Sequence, residues 1–168
     1  YMDNATAQNL IDLNTRFYAE HAASFSATRS APWEGWQHVA DLARERFGDA
    51  PTSLRVFDLA CGNLRFERFL AEQLPRTSLH VTAIDNCPAL AANMNELARV
   101  DYHSADILTA LLVQSDHSCV NANPTPQAAA LDAAFPHASC DIAVCFGFMH
   151  HVPGAALRQA ILSRLIGS

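Results

Sequence analysis

Three aspartates stand where apolar runs give way to polar loops, a placement that suits ligand chemistry. Asp58 belongs to Val56-Phe57-Asp58-Leu59-Ala60-Cys61-Gly62-Asn63-Leu64-Arg65, which reads as a strand entering a tight turn and then a helix. Asp85 follows a second apolar segment, Leu79 to Ile84, and Asp106 follows a third, Val100 to Ser104. A carboxylate at a strand end can accept both hydroxyl hydrogens of a ribose, as at Asp85, or those of an adenine amino group, as at Asp106. Each aspartate taken singly is equally suited to capping a helix, but three in register favour a ligand. Ala60 and Leu64 occupy the outer positions of a G-x-G-x-G loop and leave Gly62 as its one glycine. Such a loop suits a ligand without a pyrophosphate, and the acidic set disfavours the phosphates of NADP or ATP. A fourth run ends at Gly147-Phe148-Met149-His150-His151, where two imidazoles could shape or deprotonate an acceptor. No metal is expected there, because adjacent histidines do not easily face one ion and no third ligand has suitable spacing.

The elements that must position these groups follow from periodicity. Leu10, Leu13, Phe17 and His21 mark an amphipathic helix from about Ala5 to His21, and the Ser/Thr-rich stretch Ser24 to Pro32 breaks it. Pro32 and Gly48 bracket a second helix carrying Trp33, Trp36, Ala40, Ala43 and Phe47. Leu54 to Ala60 reads as a buried parallel strand, and Phe66, Phe69, Leu70 and Leu74 form the stripe of the helix after it. The segment Leu79 to Ile84 is a second strand, and Pro88 then opens a helix with Leu90, Met94 and Leu97 inward. Strands at Val100 to Ser104 and Asp141 to Phe146 and a helix from Ala155 to Ile166 complete the pattern. Residues 108–139 exceed an ordinary crossover and are expected to be an insertion, with a helix from Gln127 to Ala134. Alternation of strand and helix predicts an α/β, Rossmann-like, doubly wound sheet with strands in the order 3-2-1-4.

Bulk properties set the frame. A chain of 168 residues, half of them hydrophobic, is one domain with one core. It divides into a helical lid, 1–48, and a core, 49–168. No apolar run reaches the ~20 residues of a membrane span, so a soluble, cytoplasmic protein without membrane association is expected. Cys61, Cys87, Cys119, Cys140 and Cys145 form no CxxC pair and read as reduced thiols. The net charge of −6, with arginine as the sole basic residue type, argues against a broad nucleic-acid surface.

Asp58 to Gly62 resembles the first motif of class I S-adenosylmethionine-dependent methyltransferases, written acidic, x, G, C, G, x, G, with departures at Ala60 and Leu64. Phe135-Pro136-His137-Ala138-Ser139-Cys140-Asp141-Ile142-Ala143-Val144 resembles the fourth-strand stretch of the methyltransferase type 11-like group. A sulfonium nucleoside fits the acidic strand ends. Phe25, Ser26, Thr28, Arg29, Pro32 and Trp33 are similar to the lid of the tRNA wobble-uridine carboxymethyl methyltransferases, which esterify a carboxylate beside a zinc-binding activator protein. The resemblance implies S-adenosylmethionine as cofactor, held by Tyr18, Arg29, Asp58, Ala60, Cys61, Gly62, Asp85, Asn86, Asp106, Ile107 and Phe146. Phe25 and Trp33 fall to the lid or substrate, and His150 and His151 are the candidate catalytic residues. The acceptor that this resemblance implies is a carboxylate on a modified tRNA uridine, and a small molecule methylated on oxygen or nitrogen is the alternative. A non-catalytic cofactor-binding module is the third reading. The family's strands 5–7 have no counterpart before Ser168, so the expectation is either a truncated or incompletely observed chain, or a strand-four edge covered by a second copy or another protein.

Overall fold

The computed structural model describes residues 2–28, 31–48, 52–91, 97, 99–116 and 140–167. Its sheet holds four parallel strands in the order β3-β2-β1-β4: β1 is Thr52–Leu59, β2 Thr77–Asp85, β3 Val100–Ser104 and β4 Ile142–Val144. The expected strand order is the one observed. Helices α1 (Asn4–Ala27), α2 (Glu34–Phe47), α3 (Arg65–Gln73), α4 (Ile107–Asp116) and α5 (Ala155–Ile166) flank it, and a short 3-10 turn, Met149–His151, follows β4.

Alternation along β1 assigns residues to the two faces. Phe57 and Leu59 pack with Ile84 against Ala7 and Ile11 of α1, Leu111 of α4 and Ile161 of α5. Leu54 and Val56 point the other way, with Val81 and Ala83, onto Trp36 and Ala40 of α2 and Phe66 and Leu70 of α3. Both faces of the sheet are therefore covered, which is why β1 is apolar nearly throughout. Asp58 shares its parity with Val56 and so faces the α3 side. Among the described residues β4 lies at one edge of the sheet and pairs with β1, its start fixed by Asp141, which accepts from the Arg55 backbone N–H at 2.8 Å and from its guanidinium at 3.2 Å.

Several expectations need correction. The stripe Leu10, Leu13, Phe17 does not face the core: these residues are 39%, 57% and 50% exposed, and the inward residues are Ala7, Ile11 and Ala22. Thr15 and Tyr18, half-buried, lie on the same inward side, toward a partly polar cavity, so the more apolar stripe was the outer one. α1 also runs through Ser24 to Ala27, past the expected break, with the Ser24 hydroxyl donating back to the His21 carbonyl at 3.0 Å. Trp33, not Pro32, is the residue that enters α2, and Gly48 closes it as expected at φ 75°. The expected insertion begins too early, because α4 starts directly after β3 and buries Leu108, Leu111 and Leu112. Residues 88–91 form a turn, with Leu90 buried. Met94, Cys119 and the helix expected from Gln127 to Ala134 lie outside the described residues, as do Phe135 to Ser139 of the fourth-strand motif.

Candidate active site

The C-terminal ends of β1, β2, β3 and β4 open into one cavity, roofed by α1. This is the place where an open parallel sheet gathers its ligand.

The loop after β1 has the backbone of a glycine loop with Gly62 as its one glycine. Ala60, Gly62 and Leu64 all adopt left-handed conformations, with φ of 64°, 56° and 59°. An L-residue in that region costs about 1–2 kcal/mol, so Ala60 and Leu64 are held there by their surroundings. The Ala60 and Cys61 N–H groups both donate to the Ile84 carbonyl, at 2.7 and 3.1 Å, and Leu64 N–H donates to the Cys61 carbonyl at 3.1 Å. Leu64 is also buried, and its packing offsets the strain.

Asp85 fixes the same loop from the neighbouring strand. Its Oδ2 accepts from the Gly62 N–H and its Oδ1 from the Cys87 N–H, each at 2.8 Å. Burial pushes its carboxyl above the usual carboxylate range, and these two N–H groups pull it back. Asp106 caps α4, accepting from the Thr109 N–H at 3.0 Å and the Thr109 hydroxyl at 2.8 Å. The capping role and the cavity position coexist, because each carboxylate oxygen retains a further lone pair.

Asp58 is the least solvated of the three. It is 3% exposed, and burial together with the negative charges of Glu67 and Asp85 raises its pKa well above the ordinary value. Cys61 and Cys145 are likewise pushed up by burial, Cys145 to about 12, so both stay protonated thiols at neutral pH.

Side chains of α1 tie the roof to the walls. Gln8 donates to the Thr109 hydroxyl at 3.0 Å, Asn86 donates to the Thr15 hydroxyl at 3.1 Å, and the Tyr18 hydroxyl meets His151 Nε2 at 2.9 Å. The His150 and His151 rings lie with centroids 3.8 Å apart, and both line the cavity. Among the described residues, no group of three His, Cys, Asp or Glu is placed to hold a metal ion.

Apart from Arg29, which lies outside the described residues, every candidate from the sequence borders this cavity. The β1 loop brings Asp58, Ala60, Cys61 and Gly62, the β2 end brings Asp85 and Asn86, and the β3 end brings Asp106 and Ile107. Phe146, His150 and His151 come from beyond β4, and Tyr18, Phe25 and Trp33 from the N-terminal helices. Sequence reasoning missed Thr15, whose neighbours gave no signal, and Gly147. A Cβ at Gly147 would stand 2.8 Å from the Trp33 ring, and its φ is 67°, so both space and backbone call for glycine beneath the indole. Glycine directly after an apolar strand was the signal available.

Residues 57–164 match the family model described as a methyltransferase domain. The chain belongs to this methyltransferase family. Class I methyltransferases of this kind normally bind S-adenosylmethionine. The match begins at Phe57, so the segment from Phe25 to Trp33 lies outside it. Comparison with curated proteins and with solved structures finds no match. Among the described residues, no helix is long and apolar enough to cross a membrane.

Proposed function

We propose that this methyltransferase domain binds S-adenosylmethionine at the strand ends and methylates a small acceptor through a hydroxyl or nitrogen that gives up a proton in the cavity. The observation that carries the reading is the convergence of three strand-end carboxylates and a tyrosine–histidine pair on one roofed cavity. The donor set fits the group: Asp58 presents a buried Oδ1 with no hydrogen-bond donor among the described residues, and carboxylates suit a sulfonium with its ammonium. When bound, the cofactor supplies an activated methyl group.

The residues of the chain orient, exclude water and accept a proton. Asp85 retains lone pairs for ribose hydroxyls while it holds the loop, and Asp106 retains them for an amino group. α1 closes the site over these groups, and such positioning accounts for roughly 7–11 kcal/mol of a transfer barrier in well-oriented reactions. His151 Nε2 faces the Tyr18 hydroxyl, so a proton taken from an acceptor can be held at His151 with Tyr18 orienting the ring. A carboxylate acceptor on tRNA, as the segment Phe25 to Trp33 implies, would be ionised already and would leave that pair without a task. The net charge of −6 also opposes a polyphosphate ligand.

Titration of the protein with S-adenosylmethionine and S-adenosylhomocysteine tests the binding half, and NAD and ATP serve as controls. Donor consumption with small-molecule pools and with tRNA then tests the acceptor. A folded protein that binds neither nucleoside would end the reading, and turnover on tRNA alone would replace the small acceptor.

A further inference from the structure

Behind Asp58, away from the cavity, lies a second carboxyl group that the proposed reaction does not use. Glu67 on α3 has no exposed surface and is not part of the cavity wall. It lies within hydrogen-bonding reach of Asp58. Among the described residues, no donor in good hydrogen-bonding geometry meets Asp58 Oδ1 or either oxygen of Glu67, and the Glu67 N–H acts on its own carboxyl from within the same residue. Two carboxylates that close in a dry interior cannot both be ionised without a large penalty, whereas one proton between them supplies both the missing donor and a single delocalised charge.

We infer that Asp58 and Glu67 share one proton, and that Glu67 is a positioning residue that makes Asp58 respond to the charge of the ligand. The ligand half of this inference rests on the cofactor assignment above. A cation arriving at Asp58 favours full ionisation of the pair, so the shared proton passes to solvent as S-adenosylmethionine binds. S-adenosylhomocysteine lacks the sulfonium charge and displaces less of it. The pair thereby favours the charged donor over the neutral product. Among the described residues, the groups that face the pair are Asp85 from β2, Cys61 from the loop, Cys145 from beyond β4 and Arg68 from α3. The Asp85 charge reinforces retention of the proton and Arg68 opposes it, while the two thiols are uncharged at neutral pH.

Infrared spectroscopy of the ligand-free protein at neutral pH reads the proton directly. A protonated carboxyl band that is lost in both Glu67→Gln and Asp58→Asn is expected, and a wild-type spectrum without that band overturns the shared proton. Calorimetric titration in two buffers of different ionisation enthalpy reads the linkage. S-adenosylmethionine should release close to one proton and gain up to about tenfold in affinity per pH unit, S-adenosylhomocysteine should release less, and Glu67→Gln should flatten both. Equal release by the two ligands, or release unchanged in Glu67→Gln, overturns the positioning role. Failure of both ligands to bind the wild type overturns the cofactor assignment and the ligand response together, while the infrared band still decides whether the pair shares a proton.

Discussion

The floor and the roof of the cavity are held by different means. The floor, the loop after β1, is pinned through its own backbone: Ala60, Cys61 and Gly62 each donate an N–H to the end of β2, to the Ile84 carbonyl or the Asp85 carboxylate. The roof, α1, is tied to the walls by side chains such as Gln8, Thr15 and Tyr18. Main-chain pairing tolerates a change of side chain, so the floor keeps its left-handed turns with alanine and leucine in place of glycine. Side-chain ties carry no such tolerance. Departures from a motif therefore matter less where backbone partners dictate the conformation than where a side chain is the contact.

Asp85→Ala should break the floor and have the largest effect. It removes two charge-assisted hydrogen bonds of about 1.5–3 kcal/mol each, so a loss near 3 kcal/mol in denaturant unfolding is expected, together with weakened nucleoside binding. Full stability in this variant would show that the loop is held by strand pairing alone.

Glu67→Gln probes the floor from beneath. Burial raises the carboxyls of Asp58 and Glu67, so the native state retains a proton that the unfolded chain releases near the ordinary carboxylate pKa. Wild-type stability therefore falls as pH rises from that value toward the raised one, by about 1.4 kcal/mol per pH unit for one linked proton. The variant removes the charge and hydrogen bond of Glu67 but not the burial of Asp58, so it should show a shallower slope, measured as unfolding free energy from mildly acidic to mildly alkaline pH.

At the cavity wall beyond β4, Gly147→Ala places a methyl group 2.8 Å from the Trp33 ring on a backbone that disfavours it. A destabilisation of about 1–3 kcal/mol and a changed tryptophan emission are expected. Unaltered emission would mean that Trp33 does not rest on Gly147 in solution. Tyr18→Phe removes one of the roof's ties and should cost about 0.5–1.5 kcal/mol, with faster amide exchange in α1 and unchanged exchange in β1. Equal acceleration in both elements would contradict separate anchoring.

The smallest effect goes in the opposite direction. Ala60→Gly relieves a left-handed alanine and should stabilise the floor by up to about 1 kcal/mol, less the added entropy of the unfolded chain. A clear loss of stability would mean that the Ala60 methyl group packs more than its conformation strains.

Much of the floor was legible from sequence. The apolar run around Val56, the strand segment around Val81, the aspartates at strand ends, and Gly62 between Ala60 and Leu64 are local patterns, and parallel βα order follows from them by simple chain geometry. The extent and facing of α1 were not legible in the same way. Its apolar stripe named the outer face, because the inner residues Thr15 and Tyr18 answer to a cavity whose walls come from residues far along the chain. Likewise nothing in the spacing of Asp58 and Glu67 announced a buried acid pair. Periodicity and turn chemistry were enough to set which segments become strands and helices and which residue types reach the strand ends. Which side of α1 turns inward, that Gly147 lies under Trp33, and that two carboxyls close on each other were settled in the folded chain alone, because each is a contact between elements whose approach is set by packing rather than by local sequence.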